Sequence, residues 1–343
     1  NNPDFNGSRE LAVHNQDWVT EGALEFLQEK DERPFFLYFA TTIPHGPTAP
    51  ERSWQADRRA TPEGWLNTPP EVQPSADDIA RRARDNGVEG RETIMWIDDA
   101  IGALLIQLES MGELDNTVIF FFNDHGQSAK GSIYEGGAHN PSLVWRHKGW
   151  PAGPQNEALV SNIDFAPTML DLAGAQQPDD MDGTSFLPVL EGRSEKIRDS
   201  LFFEMGYTRG VMKAGLKYIA LRYPPSIANM TREERQAKLD WMNDNLRDRG
   251  RPVHTEDPMQ PFGHLMPVPG GHDAEQGAVK SYPHYYEADQ LYDLAKDPNE
   301  QVNLFDDPAY RERREELRTL LESYLVTLPG QFPLNGEAVT PGS

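Results

Sequence analysis

Val118-Ile119-Phe120-Phe121-Phe122-Asn123-Asp124-His125-Gly126 is a run of five apolar residues that stops abruptly on a polar turn. A short run of this kind, with no polar alternation, predicts a strand covered on both faces, the habit of parallel sheets. Phe35-Phe36-Leu37-Tyr38-Phe39-Ala40 has the same texture, and Ser142 to Trp145 predicts a third strand. Helical patterns lie between them. Gln16 to Lys30 is amphipathic, Ala76 to Met111 contains a long helix closing at Gly112, and Ile163 to Ala173 stops at Gly174. Alternating helices and buried strands predict an α/β fold, with a mainly parallel central sheet flanked by helices. In such sheets ligands sit beyond the carboxyl ends of the strands. The loops after Ala40 and Phe122 are therefore the places to search.

The texture changes near residue 200. Leu201–Glu204, Gly210–Met212, Leu216–Leu221 and Leu291–Leu294 predict short antiparallel strands, and Pro308 to Leu325 a final helix. We expect a main domain over residues 1–200. A smaller C-terminal α+β domain follows over 201–343, with a polar insertion at about 224–284.

Composition excludes several classes. The 343 residues carry 55 acidic against 32 basic side chains, a net charge of −23. Nucleic acid and anionic membrane surfaces, which demand clustered Lys and Arg, are poor partners for such a chain. Cysteine is absent, which removes disulfides, thiolate metal sites and a cysteine nucleophile. No apolar run approaches the length of a membrane span.

The chemistry gathers on two loops. Asp124 and His125 place a carboxylate and an imidazole on one turn, where Gly126 lets the backbone bend sharply. Taken alone, this is a strand end with a capping Asp. Lys130-Gly131-Ser132-Ile133-Tyr134-Glu135-Gly136-Gly137 follows at once, bringing a compact positive charge and flexible glycines to the same edge. The other loop holds Pro44-His45-Gly46-Pro47, a histidine suited to acid catalysis between two prolines. Asp98 and Asp99 are set aside as metal ligands, because neighbouring side chains on a helix diverge by roughly 100°.

Together, Phe36-Leu37-Tyr38-Phe39, Pro44-His45-Gly46-Pro47, Asp124-His125-Gly126, Lys130-Gly131-Ser132 and Tyr134-Glu135-Gly136-Gly137 resemble the type I sulfatases of the alkaline phosphatase superfamily. Asp164-Phe165-Ala166-Pro167-Thr168, Asp182-Gly183, Leu291-Tyr292-Asp293-Leu294, Asp297-Pro298 and Glu300 extend the resemblance in order along the chain. The resemblance implies that Asp124 and His125 are metal ligands and that Lys130 bridges a sulfate oxygen and the nucleophile. His45 would hold the sulfate and protonate the departing alcohol. The metal would be calcium, with magnesium or manganese as alternatives because His125 stands where relatives usually have Asn. The family's nucleophile is a formylglycine made within a Cys/Ser-x-Pro-x-Arg motif, and no such motif exists in these residues. The nucleophile and the paired aspartates of the first strand are thus expected upstream, on an N-terminal segment that the chain needs for activity.

The expected function is hydrolysis of a sulfate monoester, on a sulfated small molecule or saccharide. The alternatives are a phosphodiesterase or phosphonate monoester hydrolase of the same superfamily, and an inactive anion-binding paralogue. His139, standing where many relatives have Arg, is a candidate substrate contact, as are Arg222, His264 and His272 of the C-terminal region. The resemblance also implies a periplasmic or secreted protein. Oligomeric state is not legible.

Overall fold

The computed structural model describes residues 9–29, 33–150, 157–260, 263–265, 268, 272–330 and 332–334. The chain forms two compact units. One comprises residues 1–119 and 145–149, the other residues 120–144 and 150–343. The change of texture near residue 200 marks the start of an antiparallel sheet inside the second unit.

In the first unit, α1 (Gln16–Glu29) packs against α3 (Glu92–Ser110), and α2 (Ala76–Asp85) also leans on α3. Trp96 and Ala100 of α3, Ile79 of α2 and Leu27 of α1 are buried where these helices meet. The stretch expected to contain one long helix holds both α2 and α3. Ser75 caps α2 by accepting from the Asp78 amide, and Gly87 and Gly90, both at positive φ, turn the chain between the helices. Asp99 pairs with Arg82 of α2, with an Nη1 to Oδ1 distance of 3.0 Å, so it anchors helix to helix. Residues 60–65 add a small hairpin of β1 (Ala60–Thr61) and β2 (Gly64–Trp65).

Phe35 to Ala40 departs from expectation. The segment is extended but joins no sheet among the described residues, and its side chains alternate between half-buried and exposed. Phe36 and Tyr38 are 69% and 70% exposed. A strand gains two covered faces only inside a sheet with layers packed above and below it, and this segment joins no sheet among the described residues. The expected central sheet is represented among the described residues by two strands, β3 (Val118–Phe122) and β4 (Ser142–Arg146).

The second unit contains the antiparallel sheet expected after residue 200. Its order is β5 (Ser200–Met205), β6 (Thr208–Lys213), β7 (Leu216–Leu221) and β8 (Asp289–Asp293). Ala214 and Gly215, both at positive φ, form the two-residue turn that sets the register Lys213↔Leu216. The final helix α10 (Arg311–Thr327) covers one face, burying Leu317 and Leu321 against Val211, Tyr218 and Leu291. The polar insertion between β7 and β8 is largely helical. It contains α7 (Pro225–Ala228), α8 (Arg232–Asp248) and α9 (His272–Ser281). No described helix is long and apolar enough to cross a membrane.

Candidate active site

In the second unit, the end of β3 is fixed from behind by aromatic packing. Phe122 meets Phe165 of α5 (Phe165–Leu172) at 4.9 Å between ring centroids, and Phe120 meets Phe165 at 5.8 Å. Just before α5, Asp164 is fully buried and accepts from the Ser161 and Thr184 amides and from Arg198. This carboxylate is structural.

The turn that follows β3 is held at both ends. Asn123 donates its N–H to Asn140 Oδ1 at 2.9 Å, and Gly126 donates to the Gly137 carbonyl at 2.8 Å. Ser128 and Ala129 donate to the Gly136 carbonyl at 3.0 and 3.1 Å. The glycines are required by this closeness. A Cβ on Gly126 would stand 2.4 Å from the Gly136 oxygen, and one on Gly137 would stand 2.4 Å from the Ala129 and Ser132 oxygens. The Asp124–His125 turn and the Lys130–Gly137 loop are thereby joined through backbone that side chains would push apart.

Within this turn Asp124 is exposed and His125 half-buried, with His125 Nε2 3.6 Å from Asp124 Oδ2. His125 Nδ1 lies 2.6 Å from the Gly126 carbonyl, so Nδ1 carries the proton and Nε2 keeps its lone pair. With calcium–ligand distances of 2.3–2.6 Å, two ligands at a right angle stand about 3.3–3.7 Å apart. The pair fits a shared cation of that size. It supplies only part of a coordination shell, since no group of three metal-binding side chains occurs among the described residues. Lys130 is exposed and has no ion-pair partner among the described residues.

His45 belongs to the first unit, on the exposed loop after Phe35–Ala40, and its Nδ1 lies 3.1 Å from the Gly46 carbonyl. That contact leaves Nε2 as the outward nitrogen. In the same unit, burial lowers the pKa of His14, whose Nδ1 lies 2.7 Å from the Thr42 hydroxyl.

Two of the expected substrate contacts prove to be interior. Arg222 is buried and donates to Asp289 Oδ1 at 2.8 Å and to the Leu334 and Ala288 carbonyls, so its guanidinium closes the end of the sheet. His264 is 2% exposed, with Nε2 3.0 Å from the Pro258 carbonyl, and burial holds its pKa below the usual value. Both are corrected to structural roles: Arg222 satisfies buried acceptors at the end of the sheet, and His264 satisfies one inside the helical insertion. His272 opens α9, and its side chain lies outside the described residues. His139 is 67% exposed beside the Asp124 turn.

The sequence reading passed over Lys217 of β7, which is fully buried between Glu135 at 2.9 Å and Glu300 at 3.1 Å. Its signal was present: a lone Lys inside Leu216-Lys217-Tyr218-Ile219-Ala220-Leu221 is a charge in a core strand, which requires a partner.

Among known proteins, the family model described as Sulfatase matches residues 2–175. An ulvan-active sulfatase of Formosa agariphila is 28% identical over 239 residues, covering 68% of this chain and 37% of that protein. An N-acetylglucosamine-6-O-sulfatase of Bacteroides thetaiotaomicron is 30% identical over 239 residues, covering 67% of this chain and 34% of its own. A protein solved in complex with its substrate D-glucosamine-2-N,6-O-disulfate shares the fold at a TM-score of 0.55. The identity there is 20%, covering 95% of this chain and 71% of that one. The chain spans about a third of the length of these curated relatives. Because the family match takes in half of the chain and includes the Asp124 turn and the glycine-held Lys130 loop, the chain belongs to the sulfatase family.

Proposed function

We propose that the protein hydrolyses a sulfate monoester carried by a saccharide. The observation that carries this reading is the junction of the Asp124–His125 turn with the Lys130 loop through Gly126 and Gly137, in a member of the sulfatase family. The saccharide follows from the similar proteins named for ulvan and N-acetylglucosamine sulfates. A divalent cation, calcium with magnesium or manganese as alternatives, would be held by Asp124 and His125 and would supply Lewis acidity toward the sulfate oxygens.

The chain's own residues do the rest. Lys130, exposed and without an ion-pair partner among the described residues, binds a sulfate oxygen and stabilises the negative charge that grows during transfer. By family resemblance His45 would deliver a proton to the oxygen of the departing alcohol, and with Nδ1 facing the Gly46 carbonyl, Nε2 is the ring nitrogen left for that transfer. By family resemblance the nucleophile would be a formylglycine, whose Cys/Ser-x-Pro-x-Arg motif does not occur in these residues. The family further suggests an exported protein.

The test uses the protein expressed from its whole reading frame. Turnover is measured on 4-nitrophenyl sulfate, a 6-sulfated N-acetylhexosamine and a phosphonate monoester. Sulfate ester turnover is expected, falling about a hundredfold or more in Lys130→Ala and His45→Ala. Preference for the phosphonate ester would establish the hydrolase alternative. Binding of sulfate without turnover of any ester would establish the non-catalytic one.

A further inference from the structure

Glu135 opens the short helix α4 (Glu135–Ala138) and is shared between the interior and the surface. Its Oε1 lies 2.9 Å from the Lys217 ammonium, and its Oε2 lies 3.3 Å from His139 Nδ1. Its own N–H is donated to Glu300 Oε2 at 2.6 Å. Lys217 lies 3.1 Å from Glu300 Oε1, and both side chains are fully buried. The Lys217 ammonium also sits over the Phe203 ring at 4.9 Å. A buried ammonium is tolerated only while its carboxylates stay in place, because an unpaired charge in the interior costs several kcal/mol. Lys217 and Glu300 therefore hold Glu135 in one rotamer, and Glu135 holds the ring of His139.

His139 is exposed, yet its backbone is bracketed. Gly137, two residues before it, accepts from Gly126, and Asn140, one residue after it, accepts from Asn123. The backbone on either side of His139 is therefore tied to both ends of the Asp124–His125 turn. With Nδ1 facing the Glu135 carboxylate at 3.3 Å, the tautomer that carries its proton on Nδ1 leaves Nε2 a lone pair, which accepts from a hydroxyl and repels an anion.

We propose that Glu135 is a positioning residue, locked by Lys217 and Glu300, that aims His139 Nε2 at a hydroxyl of the saccharide carrying the sulfate. The assignment rests on the sulfatase reading and adds the group that selects the sugar. Glu135 and His139 then act as a unit on binding, while the sulfate itself is left to Lys130.

The experiment compares KM and kcat for a 6-sulfated N-acetylhexosamine and for 4-nitrophenyl sulfate, which has no sugar hydroxyls, in the protein from its whole reading frame. His139→Ala is expected to raise the sugar KM about tenfold relative to the aryl KM, the effect of one lost hydrogen bond. Glu135→Ala should reproduce that ratio, the double variant should be no worse than either single one, and Glu135→Gln, which still accepts from Nδ1–H, should restore most of it. Where Glu135→Ala fails to fold, Glu135→Gln and His139→Ala decide the matter alone. Equal KM changes on both substrates would overturn the proposal by placing His139 on the sulfate. An unchanged sugar KM in His139→Ala would overturn it outright. A wild-type protein that turns over neither ester refutes the sulfatase reading instead.

Discussion

His125 turns its Nε2 toward Asp124 Oδ2, 3.6 Å away, because its other ring nitrogen is taken by the Gly126 carbonyl. Two donors set side by side on one turn are expected to share a cation. Asp124→Ala and His125→Ala should each weaken divalent-cation binding by about 10- to 100-fold. Calorimetric titration with calcium, magnesium and manganese in turn measures this directly. Unchanged affinity in both variants would remove these residues from any metal site.

Gly126 stands hard against the backbone of Gly136 and Gly137. Gly126→Ala would place a methyl 2.4 Å from the Gly136 oxygen and 2.8 Å from its carbon, and backbone atoms cannot rotate away. A stability loss of about 3 kcal/mol is expected, the upper range for overpacking. Urea denaturation of the variant should show it, and a midpoint like that of the parent would contradict the packing described.

Glu275 of α9 is 2% exposed, and burial raises its carboxyl to about 7, with a Tyr285 hydrogen bond pulling the other way. Between its ordinary value of 4.5 and about 7, the folded protein keeps a proton that the unfolded chain has released. Folding stability therefore falls as pH rises through that window, by something on the order of 3 kcal/mol from this group. Glu275→Gln should match the parent near pH 4 and exceed it near pH 8. Chemical denaturation at several pH values reads the difference, and a gap that does not change with pH would count against it.

Phe36 and Tyr38 expose 69% and 70% of their surface on an extended segment that lacks strand partners among the described residues. Such a segment templates pairing with other chains. In these 343 residues expressed alone, Phe36→Ser with Tyr38→Ser should reduce hydrophobic-dye binding and delay aggregation, while changing stability by less than about 0.5 kcal/mol. Light scattering and dye fluorescence, followed side by side, provide the check.

Much of the architecture is legible in periodicity. The helix from Gln16 and the strands around Gly210 and Tyr218 follow from patterns that local physics enforces. The two-residue turn at Ala214-Gly215 was readable in the same way. Other features depend on distant partners. Phe35 to Ala40 has the composition of a doubly covered strand, but covering requires neighbours, and composition does not supply them. Helix α8 was overlooked within a polar stretch although Thr231-Arg232-Glu233-Glu234 spells a capping box. In the structure Thr231 accepts from the Glu234 amide, and Glu234 accepts from the Thr231 amide in return. In the site, Asp124, His125 and Lys130 announce themselves because each follows a strand end. Lys217 and Glu300 lie far apart along the chain and meet Glu135 only when β7 and the segment after β8 fold together. Arg222 and His264 looked like ligand contacts because polar residue types say nothing of burial.

The stack of Tyr134 on Tyr282, with 3.9 Å between ring centroids and planes 6° apart, ties the Lys130 loop to residues that follow directly on α9. The Tyr282 hydroxyl also receives the Gly136 N–H at 3.0 Å. Tyr282, near the end of the 224–284 segment, consequently makes that insertion a buttress of the Lys130 loop. Excising the insertion would strip Gly136 and Tyr134 of their Tyr282 partner and leave the Lys130 loop without its backing wall.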